Sequence, residues 1–171
     1  RLGRVLCEPT DPPVKVLFVY NCNPVATLPD QRRVIAGMSR EDLFTVVFDQ
    51  VLTDTAVYAD VVLPATTFLE HYDVAKSYGP ISLQLARPVI EPVAESRPNS
   101  DVFAELTQRL ALDRAGDAEG ELDQMLEVIA GLPPTIQQSV ADRGYATVPH
   151  DGRPIQFVDV FPNTNDGKVQ L

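Results

Sequence analysis

Leu43-Phe44-Thr45-Val46-Val47-Phe48, closed by Asp49, is a continuous apolar run rich in β-branched and aromatic residues. Its shortness and bulk favour a buried strand. Upstream, Val14-Lys15-Val16-Leu17-Phe18-Val19-Tyr20 has the same character after Pro12-Pro13, and it stops at Asn21-Cys22-Asn23-Pro24, residues that open a turn. Between the two runs, Asp30 to Met38 reads as a short helix preceded by Pro29. Downstream, Thr53 can cap a short helical segment through Tyr58, with Asp54 favouring its dipole. Val61-Val62-Leu63 then supplies a third strand, which Pro64 stops. Strand, helix, strand, helix, strand is the pattern of right-handed crossovers and a parallel sheet. Strands that are apolar throughout, rather than alternating, imply helices on both faces. The expected class is therefore α/β, a three-layer sandwich with a largely parallel sheet.

Beyond Pro64 the pattern loosens. Ile81-Ser82-Leu83-Gln84-Leu85 alternates like a half-exposed strand. Ser100 can cap a helix from Asp101 to about Leu112, where Val102, Phe103, Leu106 and Leu110 share a face. Leu122, Met125, Leu126 and Ile129 make a similar stripe that Gly131 and Pro133-Pro134 end, and a shorter helix is expected around Ile136–Arg143. Ile155 to Phe161 alternates and, through a turn at Asn163–Gly167, pairs with Lys168-Val169-Gln170-Leu171 as a C-terminal β-hairpin. The expected divisions are an α/β domain over 1–112, a helical extension packed on it over 113–150, and the terminal hairpin over 151–171.

With 171 residues and 44% hydrophobic content, the chain suits one domain plus an appendage and can bury a real core. A formal net charge of −10 without a Lys/Arg cluster argues against nucleic acid as a partner. No apolar run approaches the roughly 20 residues of a membrane span, and Arg1-Leu2-Gly3-Arg4 lacks an apolar signal region. Cys7 and Cys22 are too far apart for a CxxC pair, and with His71 and His150 they give no metal-ligand spacing. They read as ordinary unpaired thiols of a reducing compartment.

In an open parallel sheet, ligands lie beyond the carboxyl ends of the strands. Asn21 and Asn23 follow the first strand, Asp49-Gln50 the second, and Ala65-Thr66-Thr67 follow Pro64. An ionised carboxylate at a strand tip accepts hydrogen bonds from ribose hydroxyls or a purine edge. Asn23 carries donors and acceptors, with Pro24 fixing its turn. The competing structural readings are that the asparagines satisfy turn amides, that Asp49 is a solvated loop carboxylate, and that Asp101 compensates a helix dipole. There is neither a G-x-G-x-x-G nor a phosphate-loop motif, and His71 with Asp73 has no G-x-S-x-G elbow beside it. No catalytic residue and no metal ligand is assigned.

Four stretches nevertheless occur in the order of one known family. Asn21-Cys22-Asn23-Pro24 resembles its G-x-N-P loop, and Thr45-Val46-Val47-Phe48-Asp49 its second strand and acidic tip. Thr53-Asp54-Thr55-Ala56, followed by Ala59-Asp60-Val61-Val62-Leu63-Pro64, resembles T-[ED]-T-A…A-D-V-V-L-P, the most specific element. Pro88 to Asp101 resembles the stretch before a long helix, commonly written with G-E-[AS]-[RK]. The family is the molybdopterin oxidoreductases of the dimethyl-sulfoxide-reductase type. Two departures stand out: Asn21 replaces the glycine of G-x-N-P, and Ala94 stands where Gly is usual.

The resemblance implies a fragment covering the third, α/β cofactor-binding domain of a larger molybdenum oxidoreductase. It implies a bis(molybdopterin guanine dinucleotide) molybdenum cofactor in the parent, which catalyses two-electron redox or oxygen-atom transfer. Asn21, Asn23, Asp49, Gln50, His71 and Asp101 are its implied cofactor-binding residues. Any iron–sulfur cluster belongs to a cysteine-rich N-terminal region outside this chain, and a C-terminal domain follows near Leu171. Partners are then the remaining domains and electron-transfer subunits. Relatives occur in cytoplasm and periplasm, and the unpaired thiols favour the cytoplasm. Alone, the chain is expected to bind cofactor weakly and to catalyse nothing. The alternatives are a molybdenum-free scaffold of complex I type and a stand-alone nucleotide-binding module.

Overall fold

The computed structural model describes residues 2–76, 82–117, 120–147 and 164–168. Three strands, β1 (Val16–Tyr20), β2 (Phe44–Asp49) and β3 (Val61–Pro64), form a parallel sheet in the order β1-β2-β3. The register aligns Val19 with Val47 and Val47 with Val62, so all three carboxyl ends emerge at one rim. Asp60 fixes the entry to β3: its carboxylate accepts the Thr45 N–H at 2.7 Å, and its own N–H donates to Thr45 O at 2.8 Å. That is a physical role for the aspartate of the A-D-V-V-L-P stretch.

Alternate strand residues supply two cores. Val19 and Val47 face α1 (Leu2–Cys7) and α3 (Gln31–Met38), packing with Leu6, Val34 and Met38. The opposite face carries Phe48, Leu63 and Ala65 against Val102, Phe103 and Leu106 of α4 (Asn99–Arg109). Phe103 meets Tyr20 edge-on, with centroids 5.0 Å apart. Helices on both faces make the expected three-layer α/β arrangement. α1 was not anticipated, and it lies unusually close to α3. A Cβ at Gly3 would stand 2.8 Å from the Val34 nitrogen, and one at Gly37 only 2.4 Å from Leu6 Cβ. Two glycines thus permit the crossing.

The crossover from β1 contains a further short helix, α2 (Pro24–Thr27), begun by Pro24, whose missing N–H costs nothing at that position. Thr55–Tyr58 is a 3-10 turn whose N-cap is Asp54 rather than Thr53, although Thr53 Oγ1 still accepts the Ala56 N–H at 3.3 Å. Ser100 does not cap α4: the helix starts at Asn99, two residues earlier than expected, behind Pro98, and Ser100 Oγ instead reaches Gln124. The helix also ends at Arg109 rather than Leu112, because Ala111 takes a left-handed φ of 54° and leaves Leu110 exposed.

A second, antiparallel sheet was only partly foreseen. It orders β4 (Asp73–Lys76), β5 (Ser82–Ala86) and β6 (Tyr145–Thr147) as β4-β5-β6. β5 matches the alternating stretch from Ser82 onward, and Ile81 lies outside the described residues. The extension supplies α5 (Glu121–Ala130), α6 (Pro134–Arg143) and β6, which pairs with β5. Of the stripe on α5, only Met125 is buried. A turn at 164–167 is formed, the Gly167 N–H donating to Thr164 O at 3.0 Å. The strands expected around it lie outside the described residues.

Candidate functional site at the carboxyl rim

Tyr20, Asn21, Phe48, Asp49 and Gln50 border a small cleft at the rim, closed by Ala65 and Asn99. Asn21 sits there with φ 51°, in the left-handed region that glycine and asparagine tolerate best, so it can replace the family's glycine. Its N–H donates to Phe48 O at 3.3 Å, while its side chain is exposed and makes no hydrogen bond among the described residues. Asp49 is half-buried. Its Oδ1 accepts the Gln50 N–H at 2.7 Å, leaving Oδ2 open. Gln50 Nε2 donates to Thr66 O at 3.1 Å, which ties the second strand's loop to the third's.

Asn99, at the start of α4, was not singled out from the sequence. Its Oδ1 is shielded from solvent and has no hydrogen-bond partner among the described residues. Leaving such an acceptor unpaired costs about 1–3 kcal/mol, so it marks where a donor is wanted. The only sequence signal was an amide residue between Pro98 and a helix. A cavity of about 740 Å³ between α4 and α5 shares Tyr20 and Asn99 with the cleft and is also bordered by Phe103, Thr107, Arg114 and Gln124. That volume falls within the range of small-ligand sites.

Asn23 lies behind the rim rather than in the cleft. Its Oδ1 accepts the Thr55 hydroxyl at 2.7 Å and the Thr55 N–H at 3.3 Å, and its Nδ2 donates to Asp54 Oδ2 at 3.1 Å. Thr55 Oγ1 in turn accepts the Val25 N–H at 3.1 Å. The N-P loop and the T-D-T-A stretch, 30 residues apart at Val25 and Thr55, are thus clasped through the side chains of Asn23, Asp54 and Thr55.

His71 stands one step from the cleft, its Nδ1 3.1 Å from the buried Thr66 Oγ1. Asp101 belongs to a neighbouring junction: its Oδ1 accepts the Glu121 N–H at 2.8 Å and so caps α5. Gly120 is needed beside it, since a Cβ there would come within 2.6 Å of that oxygen. Burial raises the Glu121 carboxyl above its ordinary value, against the opposing pull of the Tyr72 N–H and of His71. The six residues therefore divide: Asn21, Asp49 and Gln50 meet at the cleft, Asn23 braces it, and His71 and Asp101 flank the α5 junction.

Glu70 is only 6% exposed. Its Oε2 accepts the Thr67 hydroxyl and N–H, both at 2.7 Å, while Oε1 accepts the Val93 N–H at 2.6 Å and the Ser96 hydroxyl at 3.3 Å. The Thr67 hydroxyl, then the backbone N–H groups of Thr67 and Val93, pull its carboxyl down to about 2. Such a depressed carboxyl adds stability above the ordinary glutamate range, and that stability is lost as pH falls towards 2.

A parallel sheet covered on both faces, with polar loop groups gathered at its carboxyl rim, defines an α/β ligand-binding domain. Residues 6–109 match the family described as molybdopterin oxidoreductase. The chain belongs to that family, whose cofactor is a molybdopterin. It is 47% identical over 129 residues to the probable oxidoreductase YoaE of Bacillus subtilis (strain 168), covering 75% of this chain and 18% of that protein. Similarity to the dimethyl sulfoxide/trimethylamine N-oxide reductase of Cereibacter sphaeroides is 35% over 103 residues, 59% of this chain and 12% of the reductase. The fold also matches acetylene hydratase from Pelobacter acetylenicus, with a TM-score of 0.71 and 22% identity, over 86% of this chain and 20% of the hydratase. The chain thus spans less than a fifth of the length of those two curated relatives. Among the described residues, no helix is long and apolar enough to cross a membrane, and no group of His, Cys, Asp or Glu is arranged to hold a metal ion.

Proposed function

We propose that this chain is the part of a molybdenum oxidoreductase that cradles one guanine dinucleotide arm of a bis(molybdopterin guanine dinucleotide) cofactor. The observation that carries the reading is that Asp49, with Oδ2 open, and Asn99, with Oδ1 unpartnered among the described residues, border one cleft. Two acceptor residues on one cleft suit a donor-rich edge, such as the N–H groups of guanine or a pair of ribose hydroxyls. The Asn21 amide supplies a donor on the same lip. Gln50 and His71 hold the loop after β3 through Thr66, Asn23 fixes the loop after β1, and Asp101 fixes the α5 junction beside the 740 Å³ cavity.

When bound, the molybdenum of the cofactor supplies two-electron or oxygen-atom-transfer chemistry, while the protein supplies position and electrostatics. The residues described here orient the nucleotide and provide no reacting group. The remaining domains complete the enclosure, carry any iron–sulfur cluster and meet the electron partner.

The test uses the full-length protein that carries these residues. Asp49→Ala and Asn99→Ala should each lower the guanosine monophosphate released on acid hydrolysis, after a fixed incubation, by about tenfold, as one lost charged or shielded hydrogen bond implies. Unchanged nucleotide content in both variants would exclude the rim as the site. A full-length protein that holds no molybdenum when produced with the cofactor would establish the scaffold alternative instead.

A further inference from the structure

The loop after β3 and the segment before α4 are separate in sequence but stitched together. Ala65 and Arg97 form a parallel bridge, in which the Arg97 N–H donates to Pro64 O at 3.1 Å and the Thr66 N–H to Arg97 O at 3.2 Å. Farther along, the Val89 and Ile90 N–H groups donate to Leu69 O at 2.7 and 3.1 Å. Between these contacts the chain turns at Val93-Ala94-Glu95-Ser96. The turn is closed by the Ser96 N–H on Val93 O at 3.0 Å and carries Ala94 at a left-handed φ of 54°. Such a turn is unfavourable on its own for a residue with a Cβ, so something outside it must hold it.

Glu70 is the group in place to do so. One carboxylate oxygen grips Thr67, and the other accepts the Val93 N–H at 2.6 Å and lies 3.3 Å from Ser96 Oγ, whose hydroxyl also donates to Val93 O at 2.7 Å, so the carboxylate meets both ends of the turn. Asn99 follows Ser96 by three residues and borders the rim cleft, its Oδ1 shielded from solvent and unpartnered among the described residues. Glu70 itself does not line the cleft.

We propose that Glu70 is a positioning residue for the rim site: by clamping the 93–96 turn to the loop after β3, it sets where Asn99 meets the ligand. The inference rests on the rim binding the nucleotide arm of the cofactor. It assigns Glu70 no contact with that ligand and no proton to move. Its effect on binding must therefore pass through Asn99, which distinguishes it from a residue that stabilises the domain in general.

That dependence is measurable in the cofactor-loaded full-length protein, as the rate at which guanosine monophosphate content is lost during incubation. Glu70→Gln keeps the size of the side chain but exchanges one acceptor oxygen for an N–H₂ donor. It should speed cofactor loss by about tenfold, and hydrogen exchange at the Val93 N–H should accelerate with it. The deciding quantity is the Glu70→Gln, Asn99→Ala double variant, which should lose cofactor no faster than Asn99→Ala alone. Ser96→Ala, which removes the hydroxyl lying between the Glu70 carboxylate and Val93 O and leaves the carboxylate intact, should show the same dependence on Asn99 if Glu70→Gln fails to fold. A double variant whose loss rate is the product of the two single effects would overturn the inference, as would wild-type retention in both Glu70→Gln and Ser96→Ala. If Asp49→Ala and Asn99→Ala retain cofactor normally, the rim reading falls and this inference with it. If those two variants lose cofactor while the coupling is absent, the positioning role alone is refuted.

Discussion

Asn21 and Ala94 depart from glycine at two positions of the family pattern, and both adopt positive φ, 51° and 54°. The backbone at these sites is the one glycine would choose. Asparagine enters the left-handed region readily, whereas alanine meets its Cβ penalty of about 1–2 kcal/mol. Ala94→Gly should therefore stabilise the protein by about 0.5–1 kcal/mol after the extra chain entropy of glycine is subtracted, as measured by chemical denaturation. A loss of stability would show that the 93–96 turn does not require that conformation. Thr45 presents a different tension. It is fully buried on β2, and its Oγ1 has no partner among the described residues. Thr45→Val keeps the shape and removes the orphaned hydroxyl, so it should be neutral or stabilising by up to about 1 kcal/mol. Destabilisation by the same amount would reveal a partner for that oxygen.

β2 is the element on which the layers depend, since it pairs with both neighbours and feeds both cores. Phe48 is fully buried and contacts the rings of Tyr20 and Phe103 at centroid distances of 5.9 and 6.1 Å. Phe48→Ala should cost about 3–5 kcal/mol and displace α4, which would appear as loss of cooperativity in thermal unfolding. At the α5 junction, the Glu121 carboxyl is raised by burial. A raised carboxyl favours folding most in its protonated form, and that advantage is lost as pH rises through its shifted pKa. Glu121→Gln should therefore stabilise the protein at neutral pH, with the difference shrinking as pH falls below the ordinary carboxylate range. A pH-independent difference would remove the titration from the explanation.

These elements also show what could be read from sequence. The three strands of the parallel sheet and the loops at its rim were legible because each strand is a short apolar run with turn residues at its ends. The antiparallel sheet was not, because β5 pairs with β6 across about 60 residues of chain and period-2 patterning carries no information about distant partners. α1 escaped notice because it is only six residues long and holds Gly3, which weakens a helix signal while permitting close contact with α3. Within the site, Asp49 and Asn21 could be proposed from their places at strand ends. Asn99 could not, since it is long-range contacts, such as the bridge between Ala65 and Arg97, that bring it there. Asn23 illustrates the converse: its chemistry was evident, but its amide turns towards Thr55.

At the scale of the molecule, the sheet, its two helical layers and the second sheet leave one rim where acceptors outnumber their partners. Substantial apolar surface also lies open, including Val16, Phe18, Phe44 and Val61 on the α4 side of the sheet. The structure of the cofactor-loaded full-length protein tests the central claim most directly. It should show a guanosine moiety within hydrogen-bond distance of the Asp49 carboxylate and the Asn99 amide oxygen. A nucleotide held at another edge of the domain, with Asp49 and Asn99 facing only solvent or protein, would contradict the account.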